Sequence, residues 1–160
     1  MKVIDDFLPT YQFQQIQSLL MGEDWKWYYN DSVYADDDGL YQYKYTFYNQ
    51  AQGIVSSEYL YLWDFCQRKL KVKELWRIKV NARPRSFFKR FSGYHIDNFP
   101  CSKTAILYIN TCNGYTKFKK GGKVKSVANR MVIFDSDMVH AGVTCSDEKR
   151  RLVVNFNYTE

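Results

Sequence analysis

Histidine is the scarcest informative residue in this chain, with two in 160, His95 and His140. Cysteine is sparse too: Cys66, Cys101, Cys112 and Cys145 form no Cys-x-x-Cys pair and lack the density of a disulfide scaffold. That excludes a stapled secreted fold and predicts buried, reduced thiols. A zinc set drawn from Cys101, Cys112, His140 and Cys145 would lack the paired spacing such sites use. No run approaches about 18 apolar residues, and the start, Met1-Lys2-Val3-Ile4-Asp5-Asp6, has no apolar h-region, so neither a membrane span nor a signal peptide is expected. The expectation is a cytoplasmic chain, not secreted and with no membrane partner, its oligomeric state left open. Single-sign runs such as Lys119-Lys120 are too short for a nucleic-acid tail. No internal repeat or low-complexity segment is present.

What is abundant is aromatic. Phe, Trp and Tyr make up 18% of the chain, with 14 tyrosines, which suits a β-rich chain with a sizeable core. The net charge of +6 could steer the protein toward polyanions or acidic substrates without deciding between them. The length suits one domain, with about 1–73 as helical support and opening strands and about 74–160 as the core.

Val3 to Leu8 reads as an opening strand. Pro9-Thr10 then punctuate it, with Thr10 as N-cap of a helix to about Met21 that buries Phe13, Ile16, Leu19 and Leu20. Trp25 to Tyr29 reads as a strand, Asn30 to Gly39 with Asp36-Asp37-Asp38 as a polar loop, and Tyr41, Tyr43, Tyr45 and Phe47 as alternate positions of the next strand. A second helix is predicted from Ser56 as N-cap to about Leu70, burying Leu60, Trp63 and Cys66 or their neighbours. From Glu74 the texture becomes short β-branched and aromatic runs broken by turn signals, and strands are predicted at about 76–83, 87–97, 103–110, 115–119, 123–127, 131–135, 139–143 and 150–158. The fold class that follows is mainly β with flanking N-terminal helices: a double-sheet jelly roll, or double-stranded β-helix, with the helices on the outer face of one sheet.

Both histidines fall in segments with a chemical pattern. Side chains two apart on a strand share a face, so His95 and Asp97 would project together while Tyr94 and Ile96 point away. A third ligand must come from another strand, and His140, 43 residues beyond Asp97, has room to return. Two histidines and one carboxylate make the facial set that holds non-haem iron(II).

Such a centre needs a two-electron co-substrate, and 2-oxoglutarate must be gripped by its distal carboxylate, for which a planar, always-charged guanidinium is suited. Arg150 and Arg151 both follow His140 at a suitable distance. If Arg151 points inward, its companions are Val153, Asn155 and Asn157, a polar wall, while Leu152, Val154, Phe156 and Tyr158 form an apolar outer wall. The strand at 103–110 divides in the same way, with Thr104, Ile106, Tyr108 and Asn110 on one face. Arg151 is favoured, with Tyr108 as its hydroxyl-bearing neighbour and Arg150 as the alternative.

The run Tyr94-His95-Ile96-Asp97, then Thr104 to Asn110, Asn129 to Asp135, His140-Ala141-Gly142 and Arg151 to Tyr158 resembles the iron(II)- and 2-oxoglutarate-dependent dioxygenases, prolyl 4-hydroxylase branch, and most of all the compact members that phage genomes often carry. The resemblance covers roughly residues 80–158. It implies Fe(II) held by His95, Asp97 and His140, with Tyr108 and the basic anchor, together with the inner-wall Asn155, around 2-oxoglutarate. O2 is the second co-substrate, and ascorbate is an accessory. The family commonly sets its anchor one residue nearer the last histidine, which favours Arg150. The reaction implied is hydroxylation of a C–H bond, on a protein or peptide side chain such as proline, with release of succinate and CO2. Oxidative demethylation of alkylated nucleic acid and hydroxylation of a free amino acid are the alternatives, and a non-catalytic jelly-roll binding protein is the rival of another class.

Arg83, Arg85, Lys89 and Arg90 interleave with Phe87, Phe88 and Phe91 on the approach to His95. They read either as a solvated strand face opposite a buried aromatic one, or as a surface for an acidic peptide or a nucleic-acid backbone. Arg83 is the member expected at the substrate mouth. The segment Tyr115 to Lys125, with Gly121-Gly122, reads as a lid or as a plain hairpin.

Overall fold

The computed structural model describes residues 1–33, 39–97, 99–100 and 102–160, without the side chains of residues 65 and 66. The expected polar loop at Asp36-Asp37-Asp38 and the thiols of Cys66 and Cys101 lie outside the described residues. Cys112 and Cys145 are buried and free.

Strand β1 (Lys2–Ile4) leads into helix α1 (Thr10–Met21). Strands β2 (Tyr28–Asn30), β3 (Gln42–Asn49) and β4 (Gly53–Ile54) precede helix α2 (Tyr59–Leu70). Then come β5 (Glu74–Pro84), β6 (Lys103–Tyr108), β7 (Tyr115–Phe118), β8 (Lys123–Lys125), β9 (Met131–Asp135), β10 (His140–Val143) and β11 (Arg150–Thr159). Among the described residues these make an eight-stranded antiparallel sheet, in the order β1-β9-β6-β11-β5-β3-β2 with β4 on β3, and a three-stranded sheet in the order β10-β7-β8. This is the jelly-roll architecture. No helix among the described residues is long and apolar enough to cross a membrane.

The large sheet is held from its helix side. Leu152, Val154, Phe156 and Tyr158 of β11 and Ala105 and Leu107 of β6 pack against Phe13, Ile16 and Leu20 of α1 and Tyr59, Leu62 and Leu70 of α2. Full burial of one such side chain is worth about 1.5–3 kcal/mol before entropy is counted. With that face apolar, the opposite face of β11 and β5 is free to be polar. It is closed only in part by a second apolar cluster, where Ile106, Tyr108, Val132, Phe134 and Val153 meet Phe118 and Val124 of the small sheet.

Several sequence expectations need correction. The segment 87–97 is not a strand. It touches its neighbour at two isolated bridges, Phe91 with Val143 and His95 with His140, and Gly93 between them takes φ 79°. Phe87 and Phe88 are 89% and 78% exposed, so this stretch carries no buried aromatic face. Thr10 lies inside α1 rather than capping it: Pro9, extended at φ −53° and ψ 141°, closes the first turn by accepting from the Phe13 N–H. Helix α2 starts three residues later than Ser56, because the Ser56 hydroxyl donates to the Glu58 carboxylate instead of accepting from the backbone. Among the described side chains its buried face is Tyr59, Leu62 and Leu70, with Trp63 packed against the same core as expected, while Leu60 is exposed. The segment 115–125 is a hairpin of β7 and β8, and Thr116 faces the space between the sheets.

Candidate functional site

Between the sheets lies a cavity of about 350 Å3. At one end His95 and His140 exchange two backbone hydrogen bonds of 2.9 Å, which brings their rings to 4.5 Å between centroids. The Nδ1 of His140 lies 2.9 Å from the Met138 carbonyl, and that of His95 lies 3.4 Å from the Gly93 carbonyl. A carbonyl can only accept, so each Nδ1 carries the proton and each Nε2 presents its lone pair. Burial, and then the neighbouring His140, hold the His95 pKa below its ordinary value.

Asp97 completes the group: one ligand atom from each of His95, Asp97 and His140 lies within 4.8 Å of the other two. The Asp97 Oδ2 accepts from the Thr104 hydroxyl at 2.7 Å and from the Asn157 amide at 2.9 Å. Its Oδ1 lies 3.8 Å from Arg77, whose Nε donates to the Asn157 Oδ1. Burial pushes this carboxyl up, but the Thr104 hydroxyl, Arg77 and the Asn157 amide outweigh it, and the pKa falls below the ordinary value. Two imidazole nitrogens and an ionised, oriented carboxylate are a donor set that fits iron(II), manganese(II) or zinc. The hydrogen bonds that fix tautomer and carboxylate orientation are the support such a set requires.

At the other end is Arg151, 3% exposed. Its Nε donates to the Ser126 hydroxyl at 2.8 Å and its Nη2 to the Thr116 hydroxyl at 3.0 Å, and its guanidinium lies over the Tyr108 ring. The Tyr108 phenol, its pKa raised by burial, also donates to Thr116. Having accepted twice, Thr116 has its own O–H left to donate. Gly114 must lack a side chain here: a Cβ would sit 2.7 Å from the Arg151 Cδ and 2.9 Å from the Val143 carbonyl oxygen. Arg150 points to the opposite face of the sheet, where it donates to the Met21 carbonyl and lies over Trp27.

The wall joining the two ends is the ladder of β5 and β11, with Arg77 opposite Asn157, Lys79 opposite Asn155, Asn81 opposite Val153 and Arg83 opposite Arg151. All of these except Asn157 line the cavity. Arg83 is buried in the cavity wall and donates to the Gly142 carbonyl at 3.1 Å. Sequence reasoning missed Arg77, Lys79, Thr104, Thr116 and Ser126. The signal for the first two was the alternation Arg77, Lys79, Asn81, Arg83 along one strand.

No family model matches the sequence, and no curated protein does. Solved structures do match the fold over nearly the whole chain. An oxidoreductase of the 2OG-Fe(II) oxygenase family from Burkholderia pseudomallei matches 98% of this chain and 84% of its own at a TM-score of 0.70 and 12% identity. A prolyl-4-hydroxylase from Pseudomonas putida matches 99% and 92% at 0.62 and 16%. A prolyl hydroxylase from Trichoplax adhaerens, in complex with a hypoxia inducible factor oxygen degradation domain peptide fragment, matches 99% and 82% at 0.68 and 15%. One of these neighbours is a 2OG-Fe(II) oxygenase and two are prolyl hydroxylases, and the chain has their fold.

Proposed function

We propose that the protein is an Fe(II)- and 2-oxoglutarate-dependent dioxygenase that hydroxylates a C–H bond. The observation that carries this reading is the placement of His95, Asp97 and His140 at one end of a cavity whose other end is the buried, hydrogen-bonded Arg151. In this reading His95 Nε2, His140 Nε2 and an Asp97 oxygen hold the metal, and Asn157, Thr104 and Arg77 keep Asp97 ionised and aimed. Arg151 and Thr116 receive the distal carboxylate of 2-oxoglutarate, with Tyr108 orienting Thr116. The guanidinium and hydroxyl donors are fixed by burial, so little ordering is left for the moment of binding. Iron and 2-oxoglutarate, when bound, supply the oxidising power that places one oxygen atom of O2 in the C–H bond and the other in succinate, with release of CO2.

The substrate in this reading is a protein or peptide side chain such as proline. The support is the fold shared with two prolyl hydroxylases, one of them in complex with a peptide fragment. The exposed Phe87 and Phe88, edge to face at 4.9 Å beside Arg85, Lys89 and Arg90, favour a second reading in which a nucleic acid stacks near the cavity. The first test is metal loading. Purified protein should bind close to one iron(II) or manganese(II) per chain, and His140→Ala should abolish it. Equal loading of a His95→Ala/His140→Ala double variant would place the metal elsewhere.

A further inference from the structure

The cavity holds more positive charge than the proposed reaction uses. Among the described residues, Arg77, Lys79, Arg83 and Arg151 line it against one carboxylate, Asp97. A divalent metal and the 2-oxoglutarate dianion cancel each other, so their binding leaves that excess in place. Arg77 answers Asp97, Arg151 answers the co-substrate, and Arg83 donates to the Gly142 carbonyl. Lys79 answers nothing: among the described residues its ammonium makes no hydrogen bond and no ion pair. Beside it, the Asn81 and Asn155 side-chain oxygens are buried without a partner. Buried polar groups are nearly always satisfied, and two that are not, beside an ammonium that opens onto the cavity, mark a place for a ligand.

The register locates the cluster. Lys79 and Asn155 are opposite each other, two residues along their strands from Arg77 and Asn157, which brace Asp97. That is about 6.7 Å from the brace. Arg83 and Arg151 lie two such steps further on. The cluster is therefore next to the metal end and separate from the Arg151 end.

We propose that Lys79, with Asn81 and Asn155, receives a carboxylate of the prime substrate, adjacent to the C–H bond that reacts. The inference rests on the oxygenase reading, narrows its substrate, and gives Asn155 to the substrate rather than to 2-oxoglutarate. A carboxylate satisfies the ammonium, and the amide oxygens of Asn81 and Asn155 call for N–H donors in the same molecule. Amino acids and peptides carry both, whereas a phosphodiester offers acceptors only. Two sources share this chemistry: the α-carboxylate of a free amino acid, and an acidic side chain in a peptide. Lys79 is held to a pKa of about 8 by burial and by Arg77 and Lys44, with Asp97 opposing them, and a bound carboxylate would restore its charge.

The test measures affinity by calorimetry, without oxygen, on protein loaded with iron(II) and 2-oxoglutarate. The probes are L-proline against L-prolinamide, L-aspartate against L-asparagine, and an Asp-Pro peptide against its Asn-Pro counterpart, with a methylated oligonucleotide as a further arm. At least one acid should bind tenfold or more tightly than its amide. Lys79→Met should erase that preference and Lys79→Arg should keep part of it. A preference for proline over prolinamide assigns the α-carboxylate, and one for aspartate over asparagine or within the peptide pair assigns a side-chain carboxylate. Succinate production by the wild type with no acid preference, an undiminished preference in Lys79→Met, or tightest binding of the oligonucleotide would overturn the inference. Acid preference without any succinate would instead overturn the oxygenase reading and leave Lys79 as a carboxylate receptor.

Discussion

Replacing Lys79 by methionine should stabilise the metal-free protein, because a charge kept for a ligand is a burden when the ligand is absent. The Lys79 pKa falls from 10.5 to about 8 on folding, through burial first and then repulsion by Arg77 and Lys44. At about 1.4 kcal/mol per pH unit, that shift corresponds to about 3 kcal/mol of destabilisation at pH 7. The sign fixes a pH window. Between about pH 8 and 10.5 the unfolded chain holds a proton that the folded chain has lost, so wild-type stability gains from this lysine as pH rises. The advantage of Lys79→Met should therefore be full below about pH 8 and fade toward pH 10.5. Urea unfolding of both proteins at pH 7 and pH 10 measures the difference, and other titrating groups cancel between the two. For a chain of this size the gain at pH 7 should raise the Tm by roughly 10 °C. A variant no more stable than wild type, or one whose advantage is independent of pH, would refute the picture of an unanswered buried ammonium.

Arg151→Ala should weaken 2-oxoglutarate binding by on the order of 1.5–3 kcal/mol, as loss of a charge-assisted contact does, while Arg150→Ala should leave it near wild type; calorimetry on manganese-loaded protein compares them. Asn157→Leu removes an amide from Asp97 and a partner from Arg77, and should lower metal affinity roughly 10–100-fold in a competitive metal titration. Unchanged affinity there would mean that Thr104 alone orients the carboxylate.

The last strand could be read closely from its sequence because its two faces differ so sharply. Leu152, Val154, Phe156 and Tyr158 can only be a core face, and the period of two then turns Arg151 and Asn155 to the cavity and Arg150 away from it. The stretch at 87–97 misled for the opposite reason. Its alternating phenylalanines and cations imitate a strand, yet it pairs with its neighbour only at two isolated bridges, at Phe91 and His95, and no local pattern announces that. His95 and Asp97 still converge, because the two hydrogen bonds to His140 hold this short piece extended. Lys79 was illegible as anything but a polar strand position: whether Arg77, Lys79, Asn81 and Arg83 face water or a cavity depends on a sheet assembled from residues far along the chain. The start of α2 turned on one hydroxyl, since Ser56 chose the Glu58 carboxylate over the backbone.

The central claim is that His95, Asp97 and His140 hold iron beside a 2-oxoglutarate pocket, and succinate release tests it most directly. Protein incubated with iron(II), 2-oxoglutarate, ascorbate and O2 should form succinate, followed by NMR, slowly alone and faster with a substrate. His140→Ala and Arg151→Ala should each abolish or sharply reduce it. Metal-loaded wild type that forms no succinate, alone or with the amino acids, peptides and oligonucleotide above, would contradict the account and leave a jelly roll that binds without turnover.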